Sequence, residues 1–177
     1  MKWWVIWHPF KAKKALLISN EADKVGDSIA KTSLLDGDRV GGQADAFKHA
    51  YWMASLRQEI GENAARSLGK AHEKDNYLTY KKMKLEDGVV PDKISSEMDL
   101  YNNDVGLTLT KKGGKQSKTG LIYRVVNAIN AGKMKVIKKD KKKQFLTCND
   151  KLITTKSLQG KWENEKCLVK SNYNKEK

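Results

Sequence analysis

The residues able to do chemistry gather in three short stretches between positions 43 and 106. In the first, Asp45-Ala46-Phe47-Lys48-His49-Ala50-Tyr51-Trp52, a carboxylate and an imidazole stand four apart. That spacing puts both on one face of a helix. There the carboxylate can orient the ring and raise its basicity, as in general-base sites and around metal ions. Trp52, three residues on, shares that side. The same pattern also suits a helix whose first turn carries an acid for the helix dipole. The second stretch is Ala71-His72-Glu73, with Asn76 four after His72. Adjacent helical residues point about 100° apart, so one of His72 and Glu73 can enter a site while the other flanks it. A polar helix C-terminus would read alike. The third is Glu97-Met98-Asp99-Leu100-Tyr101-Asn102-Asn103, where Asp99, Asn102 and Asn103 share a face. Two adjacent asparagines compete for the backbone and suit a helix interior poorly. Such a break in local preference marks a functional site or a helix end ahead of Gly106.

Two of the three histidines thus fall on three successive helices, whose inward groups can converge. The expected catalytic set is Asp45, His49, His72, Glu73 and Asp99. Lys48, Trp52, Asn102 and Asn103 are expected to contact substrate. His49, oriented by Asp45, would act as general base on water. His72 or Glu73 would serve as acid or as a ligand, and Asp99 and Asn103 would position a metal or the substrate. If the cofactor is one divalent metal, its expected ligands are His49, His72 and Asp99. His49 and His72 stand 23 positions apart, which spells no local metal motif. His8, ahead of Pro9, is expected to pack or cap.

The elements that must carry these groups follow from apolar spacing. Lys11–Lys31, Gln43–Ile60, Glu62–Asn76, Asp92 to about Gly106, and Thr119–Ala131 all show helical periodicity. Leu35-Asp36-Gly37-Asp38 reads as a turn, Gly61 as punctuation, Asp87-Gly88 as part of a polar loop running to Pro91, and Lys111–Lys115 as a breaker. After Gly132 the segments 134–137, 144–148, 152–155 and 167–169 are short and β-prone. The expected fold is mainly α: a compact helical domain of about five helices, residues 1–110, with a small basic β-rich C-terminal appendage, residues 111–177, that holds one helix and short strands.

The formal charge of +14 sits unevenly. Residues 1–110 carry 16 basic and 16 acidic side chains, and residues 111–177 carry 19 and 5. A neutral body therefore bears a basic tail, which points to an anionic partner. With only four arginines in the chain, charge attraction fits better than base readout, so nucleic acid ranks below an anionic envelope component or phospholipid. No apolar run approaches the ~20 residues of a membrane span. The opening Met1-Lys2-Trp3-Trp4-Val5-Ile6-Trp7 stops at His8-Pro9, short of a signal-peptide core. It is expected to be an aromatic plug packed on the helices, and export to use a route without a cleaved signal. Cys148 and Cys167 read either as a disulfide of an oxidising compartment or as two free thiols.

Three motifs carry a resemblance: Gly42 through Trp52, Gly69-Lys70-Ala71-His72-Glu73, and Glu97 through Gly106. Over about residues 5–110 the chain resembles an uncharacterised helical bacterial domain family with the signature DAFRHAYW…AHE…MDLHNNxxG, often found in secreted or toxin-like proteins. The resemblance implies that Asp45, His49, His72, Glu73, Asp99, Asn102 and Asn103 form the functional set. Lys48 stands where arginine is usual and Tyr101 where histidine is usual. The expected function is a secreted antibacterial effector hydrolase acting on a phospholipid or other phosphodiester. It would be cytoplasmic in the producer before export and delivered to a target-cell envelope, with a cognate immunity protein as partner. A cell-wall glycan hydrolase, with Glu73 and Asp99 as its acid pair, and a non-enzymatic module with a basic tail for nucleic acid or an envelope polymer are the alternatives.

Overall fold

A computed structural model describes residues 2–85 and 89–173. Among them, seven helices and two short strands follow one another as α1 (Lys2–Trp7), α2 (Pro9–Ala30), α3 (Gln43–Ile60), α4 (Glu62–Lys81), α5 (Lys93–Thr108), α6 (Lys118–Asn130), β1 (Lys135–Ile137), α7 (Thr155–Leu158) and β2 (Leu168–Lys170). The mainly helical class holds, and the five expected helices are α2 to α6. Two short helices, α1 and α7, add to them, and α4 runs one turn past Asn76 to Lys81. The expected Asp87-Gly88 loop signal lies outside the described residues.

Helix α3 is the centre. Its buried residues lie all round it, from Ala44, Ala46 and Phe47 to Met53, Leu56 and Ile60, which is the mark of a helix enclosed by others. Its neighbours α2, α4, α5 and α6 each bury a stripe against it. On α2 that stripe is Ala15, Ile18, Ala22, Val25 and Ile29. Small residues set how near the helices come. A Cβ on Gly106 of α5 would meet the Ala50 carbonyl oxygen at 2.4 Å, so α3 and α5 touch backbone to backbone at this point.

Across residue 110, where the charge pattern suggests a boundary, the core is continuous. Leu121, Val125, Ile129, Met134 and Val136 belong to the same apolar cluster as Phe47 and Leu56. The β content is smaller than the sequence suggests. β1 and β2 pair antiparallel, with Val136 opposite Val169. The β-prone segments at 144–148 and 152–155 make only the isolated bridges Lys139–Phe145 and Leu146–Leu152. Charged turns every few residues leave too little extended chain for a ladder. Cys148 and Cys167 form a disulfide.

The aromatic plug is not seen. Residues 2–7 are helical, and only Trp4 is buried, its Nε1–H donating to Ser67 Oγ on α4 (2.8 Å). Trp3, Ile6 and Trp7 are exposed. His8 packs as expected, stacked on Trp4 with ring centroids 4.5 Å apart, but its side chain caps nothing on α2.

Candidate metal centre

The loop before α3 builds one wall of the site. Asp36 accepts from the Asp38 and Gln43 backbone N–H groups, and Asp38 from that of Val40 (3.0 Å), which folds residues 36–42 back over the helix start. Asp45, in the first turn, accepts from the Gly41 N–H at Oδ2 (2.8 Å). Its other oxygen, Oδ1, lies 3.8 Å from Lys48 Nζ and 3.6 Å from His49 Nε2. Asp99 comes across from α5 and brings Oδ1 to 3.3 Å from the same nitrogen. The donor atoms of Asp45, His49 and Asp99 all lie within 4.8 Å of one another. This group could hold a metal ion: the 3.3 and 3.6 Å separations about Nε2 are those of ligands set about 2.0–2.2 Å from a common centre.

The protonation state of His49 suits that role. Burial holds the imidazole well below the ordinary histidine range, despite two carboxylates beside Nε2. The charges of Lys48 and His72 push the same way, while Asn103, close to the ring though outside ideal hydrogen-bond geometry, pushes back. A neutral imidazole and two carboxylates are a mixed nitrogen–oxygen donor set that suits zinc, manganese or ferrous iron. His49 and Asp99 are buried, and Asp45 is nearly so.

The three side chains line a cavity of about 70 Å³, with Arg39, Lys48, Asp92, Ser95, Phe145 and Lys166 among its other walls. Two of these come from the basic C-terminal segment. Lys166 pairs with Asp92, and its Nζ lies 4.0 Å from the Phe145 ring centroid; Lys139 Nζ lies 4.7 Å from the same centroid. The tail therefore closes over the site.

The expected set divides. Asp45, His49, Asp99 and Lys48 meet in the cavity. His72 and Glu73 are not among its lining residues. The His72 ring lies 6.2 Å from that of His49 and 5.5 Å from that of Trp52; the candidate ligand group holds Asp45 in place of the expected His72. Glu73 is buried and accepts from Asn76 Nδ2 (3.2 Å). Trp52 is turned to α2, donating through Nε1 to Ser19 Oγ (2.9 Å). Asn102 is a clamp: its amide donates to the Lys135 carbonyl and accepts from the Lys135 N–H, both at 2.9 Å, fastening β1 to α5. Asn103 is buried beside His49, and the missing Cβ of Gly69 gives its amide room (3.2 Å to Nδ2).

A family model described as a domain of unknown function, DUF6973, matches residues 2–133. The chain belongs to the DUF6973 family. The DUF6973 match includes all three candidate ligands and also α6, so it runs past residue 110, where the expected resemblance ends. Phe145 and Lys166 lie beyond it. No curated protein and no solved structure matches the chain.

Reading the sequence missed Arg39, Asp92, Ser95, Phe145 and Lys166. For Asp92 a signal existed, since aspartate is a preferred N-cap residue; the structure adds the reciprocal bond from Ser95 that completes a capping box. Nothing local marks Lys166, which arrives from 74 residues away.

Proposed function

We propose that this chain is a hydrolase that holds one divalent metal on Asp45, His49 and Asp99 and cleaves a phosphodiester, with phospholipid the favoured substrate. The observation that carries the reading is the convergence of two carboxylates on Nε2 of a buried, neutral imidazole inside a cavity. The charge of the lining names the substrate class. Lys48 and Lys166 face Asp45, Asp92 and Asp99, and Arg39 is itself paired with Asp27, so a divalent ion leaves a small net positive charge, suited to a phosphate group. When bound, such an ion polarises the phosphoryl oxygen and lowers the pKa of its water. The protein's own share is orientation. Gly41 fixes the Asp45 carboxylate, α5 delivers Asp99, and Lys48 and Arg39 face the anionic oxygens. The tail residues Phe145 and Lys166 restrict water.

The glycan alternative fares worse, because Glu73, its expected acid, does not line the cavity that holds Asp99. The disulfide supports action in an oxidising compartment outside the cytosol, as a secreted effector would require.

The test is direct. The purified chain is loaded in turn with zinc, manganese, magnesium and calcium and assayed on bis-p-nitrophenyl phosphate and on phospholipid vesicles. We expect metal-dependent hydrolysis, lost on chelation and lost in His49→Ala and Asp99→Asn variants that still melt cooperatively. A wild-type chain that binds none of these ions and hydrolyses neither substrate overturns the reading.

A further inference from the structure

The first seventeen residues carry apolar side chains on the wrong side. On α1 only Trp4 turns inward. Trp3 is 76% exposed, Ile6 63%, Trp7 78% and, at the start of α2, Phe10 98%. Trp3, Ile6 and Trp7, three and four residues apart, share one face of α1. Phe10 lies beyond the join at His8, whose φ of −133° and ψ of 50° are not helical, in the first turn of α2. Leu17 lies on the Phe10 face of α2, 62% exposed, while α2 buries a different stripe beginning at Ala15 and Ile18. The outward face is therefore not a displaced core face. Trp4 anchors α1 to α4 through Ser67 and holds the other rings out.

We infer that this stripe docks the protein on an anionic lipid surface. Exposed aromatic area of this extent marks an interaction site, and three observations name its partner. The rings are tryptophan and phenylalanine, which settle at the level of lipid headgroups. Lys2, Lys11 and Lys13 accompany them, while Lys14 pairs with Glu59 of α3, and no acidic residue occurs before Glu21. Lysine is depleted at protein–protein interfaces but attracted by anionic headgroups. No helix among the described residues is long and apolar enough to cross a membrane, so the stripe lies in the interface plane. This surface is separate from the basic tail, part of whose charge is already spent on Asp38, Asp92 and Asp150. The inference does not rest on the hydrolase reading.

The full chain is sedimented with vesicles of phosphatidylcholine alone and of phosphatidylcholine mixed with phosphatidylglycerol, in the presence of a chelator so that hydrolysis plays no part. Binding to the mixed vesicles is expected, with weaker binding to the neutral ones. Trp3→Ser/Trp7→Ser/Phe10→Ser should lower it about tenfold or more. Lys11→Ser/Lys13→Ser, which leaves the rings in place, should narrow the preference for anionic vesicles. A wild-type chain that stays in solution, or a triple variant that sediments as well as wild type, overturns the proposal. So does a dimer in light scattering that the triple variant breaks and that binds no vesicles, since the stripe then belongs to a second copy.

Discussion

Asp92 and Lys166, 74 residues apart, form a buried ion pair at the rim of the candidate site. Asp92 serves two partners: Oδ1 accepts from the Ser95 N–H (2.8 Å) and caps α5, while the other oxygen holds Lys166. Only 9% of the lysine side chain and 7% of the aspartate side chain is exposed. Removing one partner of such a pair leaves a buried charge uncompensated and costs about 3 kcal/mol. Lys166→Met, which keeps the stem that lies over Phe145, should lower the melting temperature by about 6–12 °C. A loss within 1 °C would mean that Asp92 is held by its capping role alone.

The disulfide fastens both tail residues of the cavity. Cys148 lies three residues after Phe145, and Cys167 next to Lys166. The bond spans 19 residues, and a loop of that size corresponds to about 3 kcal/mol of stabilisation. Cys148→Ser/Cys167→Ser should unfold at correspondingly lower denaturant. Because the apolar core shared by α2 to α6 and β1 contains no residue of 139–167, far-UV circular dichroism at room temperature should stay helical. Proteolysis should then fall first on residues 139–167. Cleavage that begins in α3 or α5 instead would show the tail to be essential to the helical body.

A metal centre and a structural ion pair make opposite predictions at Asp99. Without an ion, the carboxylates of Asp45 and Asp99 approach each other beside an imidazole that burial keeps neutral, and like charges in such a setting repel. Asp99→Asn should leave the melting temperature of the metal-free protein unchanged or raised by a few degrees, while divalent-metal affinity falls about 100-fold or more. If Asp99 instead balances a charged His49, the same variant melts well below wild type and metal titration shows nothing to lose. Differential scanning fluorimetry with and without metal separates the two.

How much of this was open to a reader of the sequence depends on how local each feature is. Asp45 and His49 were legible because the geometry between i and i+4 of a helix is fixed by the backbone. Asp99 was legible as one of a polar trio in a helix. His72 was not placed, because its distance from the ligands depends on the rotation of α4 about its own axis, and its neighbour Glu73 took the buried position. Asn102 and Asn103 look equivalent in sequence, yet a turn of 100° sends one to the backbone of β1 and the other to His49. At the N-terminus the aromatic residues announced an apolar surface. They did not say whether protein or another medium would cover it.

Tyr51 offers a pH test of the packing behind the site. Its hydroxyl donates to Glu21 Oε1 (3.3 Å), and burial, reinforced by the Glu21 charge, pushes its pKa from 10.0 up to about 12. Below pH 10 the phenol is neutral both folded and unfolded. Between pH 10 and about 12 the unfolded chain ionises while the folded one resists, so this contribution to stability is lost across that window. Urea midpoints measured from about pH 9 to about pH 12 should fall less steeply in Tyr51→Phe than in wild type. Equal slopes would place the phenol in contact with solvent.

Gly106 sets the distance that the candidate site depends on. An added Cβ would meet the Ala50 carbonyl oxygen at 2.4 Å and the Ala50 Cα at 2.7 Å, contacts that backbone atoms cannot relieve by rotating. The helices must part. His49 precedes Ala50 on α3, and Asp99 lies two turns before Gly106 on α5, so the separation opens the gap between the ligands. Gly106→Ala should therefore cost about 2 kcal/mol as an overpacked core does. It should also weaken divalent-metal binding about tenfold or more, although every ligand is still present. The two effects are read separately, stability by denaturant unfolding with chelator present and affinity by titration calorimetry. A destabilised variant that binds metal as wild type does would mean that the ligand set tolerates the wider spacing, and that the α3–α5 contact serves the fold alone.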